Sequence, residues 1–153
     1  MSIDPSCGSS SSMPGYALSY FDMSTGRGEV TENGIIEIPN VNSPLHQRLH
    51  SLQECLQSEF GDDLRYLITE DIAPKVFGRG RGAGGHASLL KAVGVTIAAC
   101  EWRDVFYVHP QSWHLYTLVK YDGAYIKSDE NDARVLSELV LDTLAENWRI
   151  WRQ

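Results

Sequence analysis

Apolar and polar positions change period several times along the chain, and each change marks an element. Met1 to Ser6 is short and apolar around Asp4 and is halted at Pro5. Ser9 to Ser12, with Met13 and Pro14, is punctuation. Gly15 to Met23 (GYALSYFDM) alternates and is rich in β-formers, which predicts a strand. Ser24 to Gly28 reads as a turn, and Gly34 to Ile38 (GIIEI) as a third strand. Ser43 followed by Pro44 is a helix start, an N-cap before proline at the first helical position. Leu45, Leu49, Leu52, Leu56 and Phe60 then recur at spacings of four, three, four and four, one apolar helical face that Gly61 ends. Leu64 to Thr69 predicts a fourth strand with Glu70 at its C-terminal end.

A glycine-rich stretch, residues 78–85 (GRGRGAGG), precedes a helix predicted from about His86 to Cys100. Asp104 to Val108 predicts a fifth strand. Ser128 caps a last helix whose apolar stripe is Ala133, Leu136, Leu139, Val140, Leu144 and Trp148. The order βββ-α-β-α-β-α predicts an α/β domain over 1–153: a mixed five-stranded sheet flanked by helices, three antiparallel strands and then parallel ones.

Composition narrows the class. The 153 residues suffice for one core, and 42% hydrophobic with 22% charged residues suits a soluble globular domain. No apolar stretch approaches the ~18–20 residues of a membrane helix, and no basic-then-apolar leader opens the chain. Cys7, Cys55 and Cys100 form no pair or zinc spacing, which suits a reducing compartment. These features predict an intracellular, cytoplasmic protein with no membrane association. Twenty acids against 13 bases give −7, which on its face disfavours a nucleic-acid partner. The charge is uneven, however. Residues 1–71 hold eleven acids and three bases (−8), residues 72–127 three and seven (+4), and residues 128–153 six and three (−3).

Four acids fall at informative places. Asp4 lies in the first strand, Glu70 closes the fourth, and Asp129 and Asp132 share the first-turn face of the last helix. An Asp-x-x-Asp at a helix start is by itself ordinary capping and dipole compensation. In this element order, however, the first and fourth strands can be neighbours, and the last helix can pack beside them. Such a carboxylate cluster suits hard divalent ions, two of which can activate water and stabilise the leaving oxygen of a phosphodiester.

Ile3-Asp4-Pro5-Ser6 followed by Gly15-Tyr16-Ala17 resembles the "IDPS…TGYA" start of RuvC-type Holliday junction resolvases. Tyr66 to Glu70 resembles that family's second acidic strand, and Asp129 to Ala133 (DENDA) its final "DxxDA" helix. Val93-Gly94-Val95 and the run Val108 to Trp113 also sit where the family has a helix glycine and a post-strand segment. The resemblance spans nearly the whole chain, with a longer turn at Cys7 to Met13 and a compact segment between strand five and the last helix. It implies an RNase H-like fold and a homodimer that nicks a four-way DNA junction symmetrically with Mg²⁺ or Mn²⁺. It makes Asp4, Glu70, Asp129 and Asp132 the metal-binding catalytic set, two ions per site, with Lys127 or His114 as helper. Asp71 and Glu130 are adjacent decoys, since on a strand Asp71 faces away from Glu70.

The loop after Glu70 carries the other chemistry. Gly80 to Gly85 matches GxGxxG, but about nine residues separate it from the strand, which argues against a dinucleotide site. Lys75, Arg79 and Arg81 are the phosphate-contacting candidates, Phe77 a stacking aromatic that can equally fold onto the core, and Lys120 a further DNA contact. The expectation is a structure-selective, Mg²⁺-dependent endonuclease that resolves four-way junctions. The rivals are another RNase H-like nuclease acting on forked DNA or RNA, and a non-catalytic nucleic-acid-binding module.

Overall fold

The structure, a computed structural model, describes residues 1–5, 13–38, 42–60, 64–72 and 83–152, with backbone alone for 83–86. Nine elements follow in order: β1 (Ser2–Asp4), β2 (Gly15–Asp22), β3 (Arg27–Ile35), α1 (Leu45–Glu59), β4 (Tyr66–Glu70), α2 (Ala83–Ala99), β5 (Asp104–Val108), α3 (Pro110–Tyr121) and α4 (Asp129–Trp151). The strands form one mixed sheet in the order β3-β2-β1-β4-β5. β1, β2 and β3 make the antiparallel meander, and β1, β4 and β5 run parallel. The expected α/β architecture with a five-stranded mixed sheet is therefore present. Among the described residues no helix is long and apolar enough to cross a membrane.

Side chains alternate across the sheet, and each face has its own core. Ile3 and Leu67 join Leu52 and Leu56 of α1 and Ala92 and Ala99 of α2 on one face. Ile68 and Val108 join Trp113 of α3 and Val135 and Leu136 of α4 on the other. The residues between and beyond these are assigned by the same alternation. Ser2 and Asp4 flank Ile3, and Glu70 lies two beyond Ile68, so all three belong to the α3/α4 face.

Three expected features differ in detail, and one helix was not expected. The third strand runs over Arg27–Ile35 rather than Gly34–Ile38. As an edge strand it carries Arg27, Glu29 and Glu32 exposed, so it lacks the apolar signature of an inner strand. Ile36 and Ile38 are buried core residues just past its end. The turn before it closes at Gly26 (φ +67), with Asp22 accepting from the Ser24 and Thr25 hydroxyls. Pro44, not Ser43, stands at the cap of α1. Its ψ of 148° is extended and no side chain caps the helix. The predicted order also lacks α3. His109 caps that helix by accepting from the Gln111 amide at 3.2 Å, with Pro110 at its first position.

α4 lies across β1, β2 and β3. A relay of three hydroxyls secures it. Ser2 Oγ donates to the Ala133 carbonyl at 2.6 Å and Ser137 Oγ donates to Ser2 Oγ at 2.8 Å. Since the single Ser137 proton is spent on Ser2, Ser19 Oγ must be the donor in its 3.2 Å contact with Ser137. At the helix start the backbones themselves meet. A Cβ on Gly15 would lie 1.9 Å from the Asp129 carbonyl oxygen and 2.6 Å from the Glu130 nitrogen. Gly15→Ala is therefore expected to push the start of α4 off the sheet. The cost is about 1–3 kcal/mol, a fall in Tm of roughly 3–10 °C for a domain of this size. Thermal unfolding checks this, and an unchanged Tm would contradict the close approach.

Candidate functional site

β1 and β4 pair in parallel with Ser2 opposite Ile68 and Ile3 opposite Thr69. The next residues along the two strands are Asp4 and Glu70, which places both acids at the same end of the sheet and on the α4 face. Asp4 is also the register partner of Gly15, the residue on which α4 begins. Asp129 and Asp132 occupy the first turn of that helix, and Ser128 caps it by accepting from the Asn131 amide at 3.2 Å. The four acids predicted from sequence are thus drawn to one place by strand pairing, a glycine contact and a helix cap.

Their electrostatics record the crowding. Burial first, and then repulsion from Asp132, Asp129 and Glu70, push the Asp4 carboxyl up to about 8. Glu70 is raised chiefly by burial, opposed by His114 and then by the Trp113 indole. Asp132 is likewise raised by burial, opposed by a hydrogen bond from the Tyr125 hydroxyl and by the charge of Lys127. Lys127 lowers all three and His114 lowers Glu70 and Asp132, so both helper candidates lie beside the cluster. Of the decoys, Glu130 is turned to β3 and Asp71 lies past the end of β4. Glu130 Oε1 accepts from the Asn33 amide of β3 at 3.3 Å, and the Asp71 backbone bonds to Val108.

α3 contributes what the sequence reading assigned only to a post-strand segment. Trp113 is 6% exposed and sits in the core under α4. Its indole N–H makes no hydrogen bond of ordinary geometry, yet it lies close enough to Glu70 to favour the ionised carboxylate. The exposed His114 ring stacks on the indole with centroids 3.9 Å apart. Lys120, expected as a DNA contact, donates to the Tyr116 hydroxyl at 2.6 Å and pairs with Glu138 and Asp142 at 3.4 Å. Lys75, Phe77, Arg79 and Arg81 lie outside the described residues. Toward the other end of the strands, a largely apolar cavity of about 570 Å³ is lined by Leu18, Phe21, Tyr66, Phe106 and Leu144.

All four cluster acids are hard oxygen donors, and their mutual repulsion would be relieved by a divalent cation. Their chemistry therefore fits Mg²⁺ or Mn²⁺. As placed, however, no three His, Cys, Asp or Glu side chains among the described residues close round a single ion. No protein-family model matches the chain, and no curated protein matches it.

The sequence reading missed Tyr125, the serine relay and the role of Gly15. Only α3 had a legible signal, the cap-and-proline pair at His109 and Pro110. The raised Asp4 has a consequence for stability. The folded protein keeps a proton up to pH about 8 that the unfolded chain releases at its ordinary carboxylate value, near pH 4. Between those values the native state binds more protons, so stability falls as pH rises. The Tm of the metal-free protein is expected to decline from about pH 5 to about pH 8.5, and Asp4→Asn, neutral throughout, to decline less steeply. Equal slopes for the two proteins would remove Asp4 as the source.

Proposed function

We propose that the protein is a metal-dependent, structure-selective DNA endonuclease acting on four-way junctions. The observation that carries the reading is the convergence of Asp4, Glu70 and the Asp129/Asp132 pair at one end of one sheet face, where the other three acids repel the Asp4 carboxylate. The resemblance to RuvC-type resolvases names the same four residues. Three antiparallel strands followed by two parallel ones, in the order β3-β2-β1-β4-β5, support the RNase H-like assignment.

In this reading the four carboxylates hold Mg²⁺ or Mn²⁺, two ions per site. When bound, these supply Lewis acidity and an activated water at the scissile phosphate. The chain's own part is to orient and neutralise. Asp4 and Glu70 are fixed by strand pairing and Asp129 and Asp132 by the helix cap. Lys127 supplies a positive charge felt by three of the carboxylates. His114, exposed on its indole platform beside Glu70, would hold or pass a proton at the leaving oxygen. Junction selectivity would come from the geometry of a homodimer and from backbone contacts, with mild sequence preference.

A second reading, a nucleic-acid-binding module without catalysis, draws support from the carboxylates' failure to close round one ion. One experiment separates the two. The protein is incubated with synthetic four-way, forked and RNA-containing duplexes in Mg²⁺ or Mn²⁺. The expected result is paired symmetric nicking of the four-way junction. Asp132→Asn is expected to nick about 1,000-fold more slowly, equivalent to the several kcal/mol contributed by a bound ion. Junction binding without nicking under any divalent ion would leave the module reading standing. Faster cleavage of forks or RNA would redirect the substrate assignment.

A further inference from the structure

The Tyr125 hydroxyl donates to Oδ1 of Asp132, and nothing in the resolvase resemblance assigns Tyr125 a role. A phenol has one proton to give, so the bond takes one lone pair of Oδ1 and sets the tilt of the carboxylate, leaving its other lone pairs for a cation. We propose that Tyr125 is a positioning residue for Asp132, holding that carboxylate in a single orientation toward a bound divalent ion. The inference rests on the metal-dependent reading above.

The surroundings of Tyr125 suit this purpose. It lies in the short connection between α3 and α4, which is secured at both ends. At the α3 end, Asp122 (φ 46) and Gly123 (φ +80) reverse the chain, and the Ala124 amide donates to the Tyr121 carbonyl at 2.8 Å. At the α4 end, the Asn131 side chain donates to the Ile126 carbonyl at 2.8 Å. Between these ties the Tyr125 ring packs against the core that holds Trp113 and Val135, and lies 5.5 Å from the Tyr121 ring. The hydroxyl is therefore delivered to Asp132 by a braced ring. Asp132 is itself 6% exposed, so its free orientations are already few. Groups that orient a metal ligand from behind contribute about 10–100-fold to metal affinity or activity.

Tyr125→Phe keeps the ring and removes the bond. Tyr121→Phe is the matched control, because its hydroxyl donates to Glu138 instead, at 2.5 Å. Mn²⁺ binding to the DNA-free protein is followed by the loss of the free-ion electron paramagnetic resonance signal. Tyr125→Phe is expected to bind Mn²⁺ about tenfold more weakly, while Tyr121→Phe binds like wild type. In junction nicking, the half-saturating Mn²⁺ concentration should rise by the same factor, while the rate at saturating Mn²⁺ stays within about twofold of wild type. Wild-type affinity in Tyr125→Phe would overturn the proposal. So would equal weakening in both variants, which would signal loosened packing rather than ligand positioning. Failure of wild type to take up Mn²⁺ at all would overturn the metal reading itself, and this inference with it.

Discussion

The site depends on a place where two backbones touch. At Gly15 the start of β2 approaches the first turn of α4 so closely that no side chain fits between them. The same residue pairs with Asp4 across the β1–β2 ladder. One glycine thus ties the acid on β1 to the two acids on α4. Among the described glycines, only here would an added Cβ run into main chain at under 3.0 Å with nothing flexible to give way. The serine relay from Ser19 through Ser137 and Ser2 to Ala133 continues the contact along the helix and fixes its rotation. With that rotation set, Asp132 turns inward and Glu130 turns toward Asn33.

Such a contact holds together groups that repel. Bringing like charges out of water is unfavourable, and the protein offsets it by several small means rather than one ion pair. The N-terminus of α4 contributes partial positive charge where Asp129 and Asp132 sit. Lys127 and His114 add nearby charge without forming a short salt bridge to any cluster acid among the described residues. Tyr125 adds a hydrogen bond to Asp132, and the Trp113 indole N–H lies near Glu70. What remains is taken up by a proton on Asp4. A fully satisfied ion-pair network would have left the carboxylates no appetite for a cation, so incomplete compensation is what makes the cluster a candidate site.

The four acids were legible in the sequence because each sits at the end of an element that announces itself: Asp4 before Pro5, Glu70 after an apolar strand, Asp129 and Asp132 after a serine cap. The groups that orient them were not. Ser2, Ser19 and Ser137 look like ordinary polar residues, and their relay appears only when β1, β2 and α4 are stacked. Tyr125 sits in a connection with no periodicity, seven residues before its partner. α3 escaped because its outward face carries Leu115, Leu118 and Val119, each more than 60% exposed. Its apolar positions therefore run round the helix and show no single stripe. Edge strand β3 was displaced for the opposite reason, since solvent on one side removes the apolar alternation by which a strand is recognised.

The net charge of −7 takes on a more local meaning with the fold in view. The basic segment, residues 72–127, links Glu70 to the helix of Asp129 in sequence, and its Lys127 lies beside the acids. Its described lysines are not equivalent. Lys120 is neutralised by Glu138 and Asp142, whereas Lys127 remains exposed at the cluster. A phosphate approaching this face meets one exposed lysine and four carboxylates, which is repulsive unless the carboxylates are neutralised first. Protons achieve this only below the raised value of Asp4, near pH 8, and only for part of the cluster. A divalent ion achieves it for several carboxylates at once and adds positive charge that a phosphate can share. Proton and cation therefore compete for the same place, and two divalent ions would offset the charge of four carboxylates where a single proton on Asp4 would not.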